Sequence, residues 1–144
     1  MARRPDTSAD SKIDRDMCRL VHQFAHQLDT NARRVADELG LTPTQVVMLR
    51  ELSEPITARE LAARIFCEPS NATFVLDRLE QQGLIERHPH PTDRRAKQIV
   101  LTKTGHDRRA EVLVGLHTDS PLSPLTTAEQ ETLRDLLQRL VAPH

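Results

Sequence analysis

Apolar positions along this chain form stripes with helical spacing, broken at intervals by residues that start or stop helices. From about Lys12 to Leu39, the positions Met17, Val21, Phe24, Leu28, Ala32, Val35 and Leu39 recur every three or four residues. That period predicts a long amphipathic helix, which Gly40 ends. Thr42-Pro43-Thr44-Gln45 places a cap, a first-position proline and a capping-box glutamine in register. A second helix, 44–54, follows with Val46, Leu49 and Leu52 inward before Pro55 stops it. Thr57 and Glu60 have capping-box spacing for a short third helix, and Pro69-Ser70 can open a fourth that Gly83 closes. Two short apolar strands, around Ile85 and Ile99–Leu101, flank a polar loop spanning 87–97. Thr102 can cap a helix to about His117 with Ala110, Leu113 and Val114 inward. After a break at Pro121 and Pro124, Thr126 and Glu129 cap a last helix with an apolar face of Leu133, Leu136, Leu137 and Leu140.

Helix, short turn, helix, then a strand pair around a basic loop is the order of a winged helix-turn-helix. The expected class is mainly α with a small β-hairpin. Residues 1–11 are polar and expected to be flexible. Residues 12–144 are expected to form one winged helix-turn-helix domain. Within it, 57–101 is the DNA-binding core, and 12–39 and 103–141 contribute helices whose apolar stripes need a cover. The two end helices can pack on each other within one subunit, but a second copy of the chain is the expected cover, because two-fold symmetry suits paired DNA half-sites.

Charge refines this picture. The 144 residues carry 20 Lys plus Arg against 21 Asp plus Glu, a formal net charge of -1, so the whole is not basic. The segment Glu86–Lys103, however, holds Arg87, Arg94, Arg95, Lys97 and Lys103 against only Glu86 and Asp93. A local basic patch suits a phosphate backbone. Two cysteines are too few for a secreted disulfide scaffold, and the N-terminus lacks the apolar stretch of a signal peptide. No run reaches the roughly 20 apolar residues of a membrane span. A cytoplasmic protein is expected. With three Phe and no Tyr or Trp, its core must be largely aliphatic.

In the fourth helix Ala72, Val75, Leu76 and Leu79 face inward, leaving Ser70, Asn71, Thr73, Phe74, Asp77 and Arg78 for the other side. Asn and Arg can make bidentate contacts with base edges, and Ser and Thr can reach bases or phosphates. Phe74 can touch a thymine methyl or fold onto the core beside Phe66. Asp77 can hold an arginine or accept from a cytosine amino group. Arg64 can contact the DNA backbone. Arg94 and Arg95 at a hairpin tip, with Lys97 beside them, can reach a minor groove or its phosphates. Asp93 can support the wing by accepting hydrogen bonds from the loop or pairing with an arginine.

Leu61-Ala62-Ala63-Arg64, Pro69-Ser70-Asn71-Ala72-Thr73, Leu76-Asp77-Arg78-Leu79-Glu80 and Gly83-Leu84-Ile85, with the later Asp93-Arg94-Arg95-Ala96-Lys97 and Leu101-Thr102…Gly105, resemble the multiple antibiotic resistance regulator (MarR) family. The resemblance covers about Asp14 to Leu140. It implies a homodimeric winged-helix regulator, usually a repressor, with 70–82 as recognition helix, wing arginines in flanking minor grooves and an imperfectly palindromic double-stranded DNA operator. It also implies release by a small aromatic or phenolic ligand in a cleft walled by helix 12–39, helix 44–54 and the motif's first helix.

Some members of that family sense peroxide through a cysteine near the start of the first helix, where Cys18 lies. The assisting tyrosines are replaced here by His22 and Ala32, and a buried, inert Cys18 is the stronger expectation, as is a packing role for Cys67. Cys18, His22 and His26 share a helix face, but three turns span about 12 Å, too far for one ion, so no metal is expected. No phosphate loop or nucleophile–base pair can be assembled, so neither catalysis nor a cofactor is expected. The alternatives to a ligand-released repressor are a thiol-based redox regulator and a winged-helix protein-interaction module without specific DNA binding.

Overall fold

The computed structural model describes residues 7–143. Helix α1 spans Thr7–Leu39, beginning before the expected Lys12. Residues 7–11 add no apolar residue larger than Ala9, so the stripe did not mark them. Asp10 in the first turn suits the positive end of the helix dipole. Residues 1–6 of the expected flexible terminus lie outside the described residues. Gly40, at φ 67°, ends α1 in the left-handed region.

Helix α2 spans Pro43–Glu51 and stops earlier than the expected 54, with the Leu52 amide bonded to Leu49 and Met48 carbonyls. Its Thr42–Gln45 capping box forms in both directions. Strand β1, Ile56–Thr57, was not expected; two residues between a proline and a helix cap show no alternation to read. The Thr57 hydroxyl accepts the Glu60 amide at 3.1 Å and caps α3, Ala58–Arg64. Helix α4 spans Pro69–Gln81, with Pro69 in its first turn, and Gly83 follows at φ 74°. Strands β2, Ile85–Pro89, and β3, Lys97–Leu101, pair antiparallel from Ile85 opposite Leu101 to Pro89 opposite Lys97. With β1 they make a three-stranded sheet in the order β1-β3-β2. Helix α5 spans Lys103–His117 and α6 spans Thr127–Val141, the latter opened by a full Thr126–Glu129 capping box.

Where the sequence grouped 12–144 as one domain, the described residues divide into two compact units: Asp29–Thr118, and residues 7–28 together with 119–143. The larger unit holds the buried core. Val35, Val46, Met48, Leu49, Leu61, Leu76, Leu79, Ile85, Ile99 and Val112 are almost fully enclosed, and among the described residues no aromatic ring is buried. Each such side chain contributes about 1.5–3 kcal/mol of burial.

Helix α5 corrects the sequence reading. Val114 is 66% exposed, and Ala110 and Leu113 also lie at the surface. The inward line runs instead through Gly105, Arg109, Val112 and Leu116. Arg109 donates to the carbonyls of Leu49 and Arg50, satisfying the open C-terminal end of α2. Arg108 reaches the Leu39 carbonyl at the end of α1. Arg34 donates to the carbonyls of Gly115 and Thr118 and to Glu38. Glycine and arginine fill half of this line and leave only Val112 and Leu116 apolar, too few to outweigh Ala110, Leu113 and Val114 in the hydrophobic period.

The smaller unit has the opposite character. No residue of α6 is buried. Ile13, Met17, Leu20 and Val21 on α1 and Leu136, Leu137, Leu140 and Val141 on α6 are exposed. Phe24, Leu28, Leu122, Leu133, Leu137 and Val141 line an apolar cleft of about 310 Å³.

Candidate nucleic-acid interface

Ala72, Leu76 and Leu79 anchor α4 to the core, with Val75 partly buried beside them. This leaves Ser70, Asn71, Thr73, Phe74, Asp77 and Arg78 exposed, as the helical period predicted. Their local engagements differ. The Asn71 Nδ2 donates to the Cys67 Sγ at 3.3 Å, leaving its amide oxygen unengaged. The Thr73 hydroxyl donates back to the Pro69 carbonyl at 3.0 Å and keeps its acceptor capacity. Phe74 does not fold onto the core. Its ring is 58% exposed and carries the Arg78 guanidinium 5.4 Å from its centroid, a cation–π contact that holds both side chains outward. Phe66, the expected neighbour, is 98% exposed at φ 53° in the turn between α3 and α4. A bulky residue rarely adopts that backbone region, so the turn is strained at the surface.

Asp77 holds an arginine, but a distant one. Arg87 on β2 donates to Asp77 at 2.8 Å and to Glu80 at 2.9 Å. The expected loop of 87–97 shrinks to 90–96, because Arg87, His88 and Lys97 belong to the strands. Arg87 is therefore a brace between wing and recognition helix rather than a wing cation. Its role could not be read from sequence, since ten residues separate it from Asp77.

The wing tip is closed by its own backbone. His90 N–H donates to the Ala96 carbonyl at 3.1 Å, and Ala96 N–H to the Asp93 carbonyl at 3.2 Å. The Asp93 carboxylate accepts the Arg95 amide at 3.0 Å. The His90 Nδ1 accepts the amides of Thr92 and Asp93, both at 3.1 Å. The side chains of Arg94, Arg95 and Lys97 project from this frame, exposed and without a hydrogen bond or ion pair among the described residues, and Arg64 is likewise exposed. Arg34, Arg87, Arg108 and Arg109 are committed to internal partners, whereas these three wing cations are not.

The larger unit also contains an open cleft of about 600 Å³, lined among others by Ala32 and Arg33 of α1, Val47 of α2, and Ile65, Phe66 and Cys67 of the turn after α3. Two of its walls, α1 and α2, are those expected from sequence; the third is the turn after α3 with Asn71 of α4, not the motif's first helix itself. Cys67 is partly buried against the core, as expected of a packing residue. Cys18 is exposed, not buried, which corrects the expectation of a core thiol; it lies on an α1 segment with little to pack against. Among the described residues, no helix is long and apolar enough to cross a membrane.

Comparison with known proteins fits this geometry. Residues 41–97 match the model of the MarR family. The transcriptional repressor MprA of Escherichia coli K12 is 29% identical over 132 residues, covering 88% of this chain and 75% of MprA. A mutant MarR from E. coli, crystallised in complex with operator DNA, is 27% identical with a TM-score of 0.67, covering 88% of this chain and 94% of that one. A structure described as a "probable transcriptional regulator" from Pseudomonas aeruginosa is 30% identical with a TM-score of 0.64, covering 90% of this chain and 99% of that one. By the match through its helix-turn-helix and wing, and a likeness running almost the full length of the two solved regulators, the chain belongs to the MarR family.

Proposed function

We propose that the chain is a homodimeric, sequence-specific DNA-binding transcriptional repressor, working in the cytoplasm and released from an imperfectly palindromic operator by a small aromatic or phenolic acid. The observation that carries the reading is a pairing within one compact unit: an exposed α4 face of hydrogen-bonding side chains, braced through Arg87 to a wing whose arginines are uncommitted. In this reading Ser70, Asn71, Thr73, Phe74 and Arg78 enter the major groove. Arg94 and Arg95 enter the flanking minor groove, and Arg64 and Lys97 meet phosphates. Asp77 serves through Arg87, and Asp93 supports the tip. The repressor name of MprA and the operator complex of MarR support the same role. The exposed apolar residues of α1 and α6 support the dimer, since an unburied stripe of this kind is a liability in a monomer. The open cleft of about 600 Å³ supports a small-ligand site, with Arg33 as its one cation beside Asp29 and Glu68. The action is binding, not catalysis.

Fluorescence anisotropy against duplexes from the intergenic region beside its own gene tests the reading. One site is expected to be preferred over random duplex by about 4 kcal/mol or more at physiological salt. Light scattering of the same sample is expected to give about twice 16.3 kDa. Equal affinity for every duplex, or a persistent monomer, contradicts it.

Arg87→Met is expected to weaken operator binding about tenfold, because Asp77 and Glu80 are then left unneutralised on a helix that must approach phosphates. Adding Asp77→Asn is expected to recover part of the loss. Titration of both variants on the same duplex checks this, and an unchanged affinity for Arg87→Met contradicts the role of Arg87 as a brace.

A further inference from the structure

The closure of the wing tip depends on one atom that titrates. Backbone amides only donate, so the two N–H groups of Thr92 and Asp93 that converge on His90 Nδ1 require a lone pair there. The Thr92 hydroxyl lies 3.3 Å from the same nitrogen. The ring must therefore be neutral, with its proton on Nε2. Protonation places an N–H at Nδ1, facing two other N–H groups, and closed turn and charged ring exclude each other.

We infer that His90 is a positioning residue of the wing whose neutral imidazole holds Arg94 and Arg95 in place, so that acidification opens the tip and weakens operator binding. This rests on the wing reading above. The charged groups around His90 do not replace the contact. The Asp93 carboxylate, the nearest natural partner for a charged ring, accepts the Arg95 amide. Arg94 and Arg95 share the turn, and Lys97 stands opposite Pro89 on β3. Earlier on β2, His88 is paired with Glu86 at 2.9 Å. The Asp93 carboxylate keeps a free oxygen, but none of these groups supplies the Thr92 and Asp93 amides with a substitute for the Nδ1 lone pair.

The sign of the effect separates it from ordinary electrostatics. Any positive charge that the rest of the protein gains as pH falls strengthens attraction to phosphates. Opening of the tip acts the other way. Operator affinity of the unmodified protein is expected to fall about five- to tenfold between roughly pH 7.5 and pH 5.5, from the loss of two hydrogen bonds. His90→Asn supplies the test. Its Oδ1 is as many bonds from the backbone as Nδ1, accepts the same two amides and does not titrate. This variant is expected to bind like the original at the higher pH and to hold or gain affinity at the lower. His90→Ala is expected to bind weakly at both.

The Thr92 and Asp93 amide resonances, followed by NMR without DNA, give a second readout. They are expected to titrate together with the His90 ring in the original chain and to stay still in His90→Asn. Amides that ignore the ring's protonation, or an affinity with the same pH dependence in both proteins, overturn the inference. An Arg94→Ala/Arg95→Ala protein that binds normally while the amides still titrate sinks the wing reading instead.

Discussion

Replacing Arg94 and Arg95 together by alanine is expected to lower affinity for the operator and for unrelated duplex alike, by roughly 100-fold at moderate salt in a dimer that loses both pairs. The two side chains are exposed, have no partner among the described residues, and stand on a turn closed by His90 and Asp93. Their removal therefore takes away the grip on DNA and little else. Unfolding stability is expected to change by less than about 0.5 kcal/mol, as for surface substitutions away from structural contacts. The salt dependence of binding becomes shallower by about 0.9 in log–log slope for each phosphate that is no longer neutralised. Where an arginine lies in the minor groove, the preference for A-T-rich flanks declines with it. Anisotropy titrations at several salt concentrations, on flanks of differing A-T content, check all of this. An affinity within twofold of the original removes the wing from the DNA face.

Gly105→Ala is expected to destabilise the winged unit by about 2–4 kcal/mol. A Cβ at this position falls 1.9 Å from the Leu84 carbonyl oxygen and 2.9 Å from its carbon, both backbone atoms. The Leu84 backbone cannot readily retreat, since its amide bonds to the Leu79 carbonyl and its oxygen accepts from Thr102 N–H at 3.1 Å. Helix α5 would have to move, and its cap with it. The Thr102 hydroxyl donates to the Gly83 carbonyl at 2.6 Å while accepting the Gly105 amide at 3.0 Å. Losing that joint frees the end of α4 from the start of α5, so operator binding should fall together with the urea midpoint. Gly115→Ala is the control. Its Cβ meets only the Val35 side chain, with the two methyls at 3.2 Å, and a cost of about 1 kcal/mol or less is expected. Urea unfolding of both variants decides the point; equal midpoints contradict the close approach at Gly105.

The helix boundaries were legible wherever a chemical signal accompanied the period. Thr42 with Gln45 and Thr126 with Glu129 form complete capping boxes, and Gly40 and Gly83 take the left-handed conformation that ends a helix. Strand β1 and the start of α1 escaped because neither has an apolar pattern of its own. The inward face of α5 escaped for a stronger reason: glycine and arginine hold it through backbone approach and carbonyl capping, which hydrophobicity does not record.

The candidate site divides in the same way. Which α4 residues face outward followed from the period, because burying Ala72, Leu76 and Leu79 leaves one possible exposed side. Which cations are available did not follow, because a sequence counts Arg87 and Arg94 alike. Folding brings Asp77 and Glu80 against Arg87 and leaves Arg94 and Arg95 uncommitted. Sequence alone thus determined the order of the helices and of the wing strands, the cap residues and the outward face of α4, all of which depend on neighbours within a few residues. Only the tertiary structure decided which arginines are spent inside, that Phe74 and Phe66 stay in solvent, and that His90 closes the wing, because these depend on how turns and distant segments bring their groups together in space.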